Sequence, residues 1–163
     1  MAKKKTLVSD TSVLIDILSA DKSILKHAAE FYDIYLPYSI LQEIKQLDEK
    51  AAMALGFKMY DEDPELIEQA KMQESGLTEV DYICMEVSRT EGYICLTNDN
   101  GLKNACEKHG VTVMRGFRLI LNLVEAGLVP KARAREAGKK IKEENSYIKA
   151  ETYKRFLDEI EKN

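Results

Sequence analysis

The chain has 163 residues, of which 45% are apolar and 32% charged, and its formal net charge is −4. This composition is typical of a globular domain, and no apolar run is long enough to span a membrane. Three cysteines lie well apart within apolar patterns, which predicts buried, reduced thiols in a cytoplasmic protein and fits neither a disulfide framework nor a zinc site. They are Cys84, Cys95 and Cys106.

Short apolar runs separated by amphipathic segments predict alternating strands and helices. The predicted strands are residues 7–8, 34–37, 92–97 and 111–114. Repeated strand–helix units predict a parallel sheet with right-handed crossovers. This pattern occupies residues 1–130, whereas residues 131–163 predict a basic helical extension that packs on that domain or on a partner.

Charge is distributed unevenly between these two parts. Residues 131–163 carry ten Lys and Arg against seven Asp and Glu, whereas residues 1–130 carry fourteen against twenty-one. An acidic protein has no general attraction for nucleic acid, so RNA binding would need a local basic surface. The basic run from Lys131 to Lys142 is typical of a solvated helix face, with RNA contact as the alternative.

Asp10 directly follows the first predicted strand. Ligands of parallel α/β sheets bind at the carboxyl ends of the strands, so an acid in this place is a candidate site residue. Thr11 and Ser12 offer an N-cap for the helix that follows. This stretch alone leaves two interpretations of Asp10 open, as a site residue or merely as a cap of that helix.

Three further acids occupy comparable positions. Glu43 lies on the first turns of the helix predicted after the second strand, whose apolar stripe runs from Ile40 to Leu47. Asp99 lies just past the strand at 92–97. Asp81 lies near the start of the helix predicted from Thr78. Two of these acids have structural alternatives, Glu43 as a solvated helix residue and Asp81 as the acid of a capping box.

Together the four acids should converge on one edge of the sheet. Carboxylates about 4 Å apart in an effective dielectric near 20 repel by roughly 4 kcal/mol per pair, so such a cluster needs a cation or protonation. Oxygen ligands favour Mg²⁺ or Mn²⁺ over zinc, and these ions suit phosphodiester hydrolysis. The chain has no Walker loop, GxSxG, dinucleotide fingerprint or HExxH motif. A haloacid-type phosphatase would need Asp where Ser12 stands, and a receiver domain would need an acidic pair that is not evident.

Four motifs in register resemble those of PIN-domain ribonucleases. They are the opening segment 8–16, the segment Tyr35-Leu-Pro37 with Glu43, the helix start Leu77-Thr78-x-x-Asp81, and Leu96-Thr97-Asn98-Asp99-x-x-Leu102. The resemblance covers residues 6 to about 129. It implies a three-layer α/β/α fold with a parallel sheet of order 3-2-1-4-5, and an endoribonuclease that depends on Mg²⁺ or Mn²⁺.

The resemblance also implies residue roles. Carried over by position, the acidic, metal-binding quartet is Asp10, Glu43, Asp81 and Asp99, with Ser12 and Thr97 as supporting polar residues. Asp10 and Asp99 are expected to be the principal metal ligands.

Small members of the VapC toxin type are homodimers held inactive by an antitoxin. The resemblance therefore implies an RNA substrate, a homodimer and an antitoxin partner. The extension from Lys131 departs from the compact toxin pattern, which weakens the toxin inference more than the nuclease inference. The alternative is a catalytically degenerate PIN domain that only binds RNA or protein, and the presence of all four acids argues against it.

Overall fold

The computed structural model describes residues 3–163, and a five-stranded sheet flanked by helices forms its centre. The strands are β1 (Thr6–Ser9), β2 (Asp33–Pro37), β3 (Lys58–Tyr60), β4 (Ile94–Leu96) and β5 (Val113–Met114). All neighbouring strands are parallel, and their order is 3-2-1-4-5. The predicted fold class and strand order are therefore confirmed.

Ten helices connect and follow these strands within the part of the chain that the structure describes. They are α1 (Thr11–Ala20), α2 (Lys22–Phe31), α3 (Tyr38–Gln42), α4 (Glu49–Leu55), α5 (Pro64–Met72), α6 (Glu79–Glu91), α7 (Asn100–Lys108), α8 (Gly116–Glu125), α9 (Lys131–Glu144) and α10 (Ala150–Lys162). None of these helices, all within residues 3–163, is long and apolar enough to cross a membrane.

The core is built on both faces of the sheet. Leu7 and Val8 of β1 are successive residues and are both fully buried, as are Cys95 and Leu96 of β4. Successive side chains of a strand point to opposite faces, so full burial of both requires cover on each side of the sheet. The three cysteines are free and buried in this core, as the sequence predicts.

The structure corrects the sequence prediction between β2 and α5. The apolar stripe that ends at Leu47 predicts one helix through that residue, but α3 ends at Gln42 and Glu43 is its C-cap. The amides of Ile44 and Leu47 instead donate to carbonyls three residues earlier, in successive tight turns. Both side chains are buried, so the stripe reports burial correctly without a continuous helix. The three-residue edge strand β3 is not among the predicted strands.

Residues after 130 form two helices that lie against the rest of the chain. Helix α9 packs on α1, and α10 packs on α8 and α9. Phe156 of α10 is buried, and its ring stacks on Phe117 of α8 with 4.2 Å between the centroids. Two cations of the basic run have acidic partners, Asp21 for Arg133 at 2.6 Å and Glu161 for Arg135 at 2.7 Å. These two residues are therefore part of the packing between elements.

Candidate functional site

Asp10 and Asp99 lie side by side because they follow neighbouring strands. Asp10 accepts from the Val13 amide at 3.0 Å and caps α1, and Asp99 accepts from the Leu102 amide at 2.7 Å and caps α7. The Asp10 amide in turn donates to the Leu96 carbonyl of β4 at 3.0 Å. The cap of α1 is thus Asp10 itself, and not the residues that follow it.

Thr97 connects the two acids. Its hydroxyl donates to Oδ2 of Asp10 and accepts from the Asp99 amide at 3.0 Å. The Ser12 hydroxyl donates to the same Asp10 oxygen at 3.1 Å. Asp10 is only 3% exposed, so these bonds hold its carboxylate in one orientation. Because Asp10 caps α1 and still lies at the edge of the sheet, it can be both a helix cap and a site residue.

Burial raises the pKa of Asp10, and the nearby charge of Asp99 acts in the same direction. Hydrogen bonds from Thr97, Val13 and Ser12 oppose that rise because they stabilise the charged form. Asp99 is exposed at the start of α7. The pair therefore combines one buried, oriented carboxylate with one that faces solvent.

Asp81 is half-buried in the first turn of α6, where the Thr78 hydroxyl accepts from its amide at 3.1 Å. Burial, followed by the charges of Asp10 and Asp99 and more weakly Glu43, raises the pKa of Asp81 to about 6. Glu43 is exposed, and its Oε1 accepts from the Thr11 hydroxyl at 3.3 Å. Hydrogen bonds thus join Asp10, Ser12, Thr97 and Asp99, whereas Asp81 is coupled to the other acids through charge.

A buried acid that the sequence did not indicate holds the start of the helix that ends at Glu43. Glu62 is 8% exposed and accepts from the amide and the hydroxyl of Ser39 at 2.8 and 2.6 Å. It thereby fixes the N-terminus of α3, which otherwise lacks a side-chain cap, while Glu43 ends the same helix. In the sequence, Glu62 lies in an acidic run before Pro64 that is typical of an exposed turn.

A second set of polar contacts links the site to the extension. Asp16 of α1 is half-buried and accepts from the Asn145 side chain at 3.1 Å. Burial raises the pKa of Asp16, and hydrogen bonds from Asn145 and Asn98 oppose that rise. Asn98 precedes Asp99 and also accepts from the Gly116 amide at 2.9 Å. Sequence reasoning gave these residues no role, because their partners lie far away along the chain.

The donor set at this edge fits a hard divalent cation. The four acids and the hydroxyls beside them offer only oxygen ligands, which Mg²⁺ and Mn²⁺ prefer. Within residues 3–163, no three His, Cys, Asp or Glu side chains are already placed to hold a metal ion together. Carboxylates without a counter-charge repel each other, so binding would require Asp81, Asp99 and Glu43 to adjust around the fixed Asp10.

We expect the pKa of Asp81 to affect stability in the absence of divalent ions. Its folded-state pKa of about 6 is above the ordinary 3.8, so the stability it contributes is lost as pH rises through this window. The Tm of Asp81→Asn in EDTA, relative to wild type, should therefore increase between pH 4 and 6 and then level off. Thermal scans over that range test the expectation, and a constant difference would contradict it.

Comparison with known proteins identifies the family. A family model for DUF3368, a PIN domain, matches residues 6–162. No curated protein gives a significant match. Among solved structures, a PilT N-terminus domain protein, SSO1118 from the archaeon Sulfolobus solfataricus P2, is 15% identical with a TM-score of 0.54, covering 74% of this chain and 94% of that one. The protein PAE2754 from Pyrobaculum aerophilum is 19% identical with a TM-score of 0.49, covering 75% and 98%.

The likeness to the Sulfolobus protein supports the fold alone, because the sequence identity is low. The family model matches more of the chain than that structure does, since it includes both the region of the four acids and the helices after residue 130. The chain therefore belongs to the DUF3368 family of PIN domains.

Proposed function

We propose that this protein is an endoribonuclease that hydrolyses RNA phosphodiester bonds with Mg²⁺ or Mn²⁺. The observation that supports the proposal is the bridge of Thr97 between Asp10 and Asp99 at adjacent strand ends. Membership of a PIN-domain family supports a nuclease fold. The metal dependence and the RNA substrate are inferred from the chemistry of the acids.

The four acids would hold the cation in different ways. Asp10 is fixed by hydrogen bonds and offers an oriented carboxylate, and Asp99 offers an exposed one beside it. Asp81 and Glu43 would complete the set of four carboxylates and orient the attacking water. When bound, the cation supplies polarisation of the phosphate and a water of lowered pKa. No nucleophilic side chain is needed for this hydrolysis.

The test is cleavage of a mixed RNA pool by the purified protein in Mn²⁺, in Mg²⁺ and in EDTA. We expect cleavage with either ion and none in EDTA, because the carboxylates alone can neither polarise the phosphate nor lower the pKa of a water. If Mn²⁺ neither raises the Tm nor supports cleavage, a binding module becomes the better description. Cleavage that continues in EDTA would contradict the metal-dependent reaction.

A narrower proposal is that the protein is the toxin of a toxin–antitoxin pair, acting as a homodimer. It is supported by the resemblance of the four motifs to those of PIN-domain ribonucleases, whose small members include VapC-type toxins. Expression of the chain in a bacterial host should then arrest growth. Co-expression of a small DNA-binding protein encoded by a neighbouring gene should relieve the arrest. Growth that is unaffected by active protein would contradict this role and leave the nuclease proposal intact.

A further inference from the structure

A positively charged cleft opens beside the acidic site. Its volume is about 360 Å³, and it lies between the loop around Asp99 and the junction of α9 and α10. Asn98 and Asn100, the residues on either side of Asp99, form part of its wall. The cleft therefore borders the loop that carries Asp99.

Four cations line this cleft, and none of the lining residues within 3–163 is acidic. They are Lys103 of α7, Arg115 before α8, Lys149 before α10, and Arg155 of α10. This concentration of positive charge stands out in a chain whose formal net charge is −4. Single-signed charge in a concave surface attracts an oppositely charged ligand, so the cleft favours a polyanion.

Ion pairs within the protein neutralise these cations only in part. Among residues 3–163, Lys149 has no acidic group within 4.0 Å, and Arg155 has only Glu151 at 4.0 Å. Lys103 pairs with an exposed residue of its own helix, Glu107, at 3.2 Å. Exposed pairs of this kind contribute little and are readily exchanged for other anions.

Arg115 connects the cleft to the acids. Its guanidinium donates to the Thr97 carbonyl at 3.3 Å and to the Asn100 side chain at 2.5 Å. The hydroxyl of the same Thr97 contacts Asp10. A phosphate bound near Arg115 would thus lie close to Thr97, the residue that links Asp10 and Asp99.

An unusually exposed aromatic residue completes the cleft. Tyr147 is 94% exposed, although tyrosine rings generally bury much of their surface. Its backbone is fixed, since its amide donates to the Asn145 side chain at 3.0 Å, and Asn145 is itself held by Asp16. A solvated ring on an anchored backbone, beside a basic groove, is suited to stacking on an unpaired base.

We propose that this cleft, which the C-terminal extension completes, binds single-stranded RNA and directs it to the acidic site. The cations contact successive phosphates, and Tyr147 stacks on a base. The proposal rests on the nuclease function for its substrate class. It gives the extension a role in binding RNA through the loop at 145–149 and the start of α10, and not through the basic run at 131–142.

Binding can be separated from hydrolysis in EDTA. The probe is a fluorescein-labelled, mixed-sequence single-stranded RNA of about twelve nucleotides, followed by anisotropy over a range of salt concentrations. The double variant Lys149→Gln/Arg155→Gln should bind about tenfold more weakly. The slope of log Kd against log salt should decrease by about 1.4, because each lost phosphate contact removes about 0.7. The matched control is Lys154→Gln, which changes charge on α10 outside the cleft and should bind like wild type.

Tyr147 provides an independent test. Tyr147→Ala should weaken binding on the order of tenfold, whereas Tyr147→Phe, which keeps the ring, should bind within about twofold of wild type. The ring is exposed, so the fold should tolerate both changes, and circular dichroism checks this. Equal competition by duplex RNA would overturn the assignment to single strands.

The outcomes distinguish the cleft from the nuclease. Cleft-dependent binding in EDTA supports the cleft even if no RNA is cut in Mn²⁺. Wild-type binding by the double variant and by Tyr147→Ala overturns the cleft, even if the protein cleaves RNA efficiently. Failure of wild type to bind the single-stranded probe at low salt would also overturn it.

Discussion

Replacing Asp10 by Asn is expected to reduce Mn²⁺-dependent RNA cleavage by roughly two to three orders of magnitude. Asn keeps the size of the side chain and an oxygen that can accept from the Val13 amide. It loses the negative charge that would hold the cation, and its NH₂ group could replace the oxygen that now accepts from Thr97. The measurement is the initial rate of cleavage of an RNA pool in Mn²⁺.

Stability measurements distinguish loss of the site from loss of the fold. Because Asp10→Asn removes one of the repelling charges, its Tm in EDTA should equal or exceed that of wild type. Mn²⁺ should raise the Tm of wild type but not of the variant. The matched control is Asp48→Asn at the N-cap of α4, where Asp48 accepts from the Ala51 amide at 2.7 Å. Wild-type cleavage by Asp10→Asn would contradict the proposed metal centre.

Replacing Phe156 by Ala is expected to lower the free energy of unfolding by about 3–5 kcal/mol. The ring is 2% exposed, stacks on Phe117 and lies directly over Gly138 of α9. A Cβ at position 138 would come within 2.3 Å of the ring, so α9 and α10 approach as closely as a glycine permits. Urea denaturation measures the change.

The control for this prediction is Tyr147→Ala, which removes an exposed aromatic side chain from the same part of the chain. It should change the free energy of unfolding by no more than about 0.5 kcal/mol. If Phe156→Ala were equally mild, the two C-terminal helices would unfold independently of the sheet. Gly138→Ala gives a second comparison and should lower the free energy of unfolding. The overpacking of its Cβ against Phe156 should outweigh the roughly 1 kcal/mol that Ala gains over Gly in a helix.

Much of the fold could be predicted because burial on both faces leaves a clear record in the sequence. Strands β1, β2, β4 and β5 each coincide with a short apolar run, and those runs predicted the parallel sheet. Strand β3 has no such run, because its first residue is Lys58, which is exposed. The sequence records burial more directly than hydrogen bonding, which is also why α3 was predicted too long.

The proximity of Asp10 and Asp99 could be predicted because the ends of parallel strands meet at one edge. Asp10 and Asp99 required only the positions of their strands, and the structure connects them through Thr97. The contacts of Glu62 with Ser39 and of Asp16 with Asn145 could not be predicted in this way. They depend on pairings between distant segments, which no local pattern of one sequence contains.

The packing of α9 on α1 has a consequence for shortening this protein. Helix α1 begins at the first acid of the site, and its outer side is covered by residues that come more than a hundred positions later. A chain cut after Pro130 would retain the four candidate acids and the five strands, but it would expose the side of α1 that α9 covers. The last thirty-three residues therefore support the helix that Asp10 caps, and they are not a separable appendage.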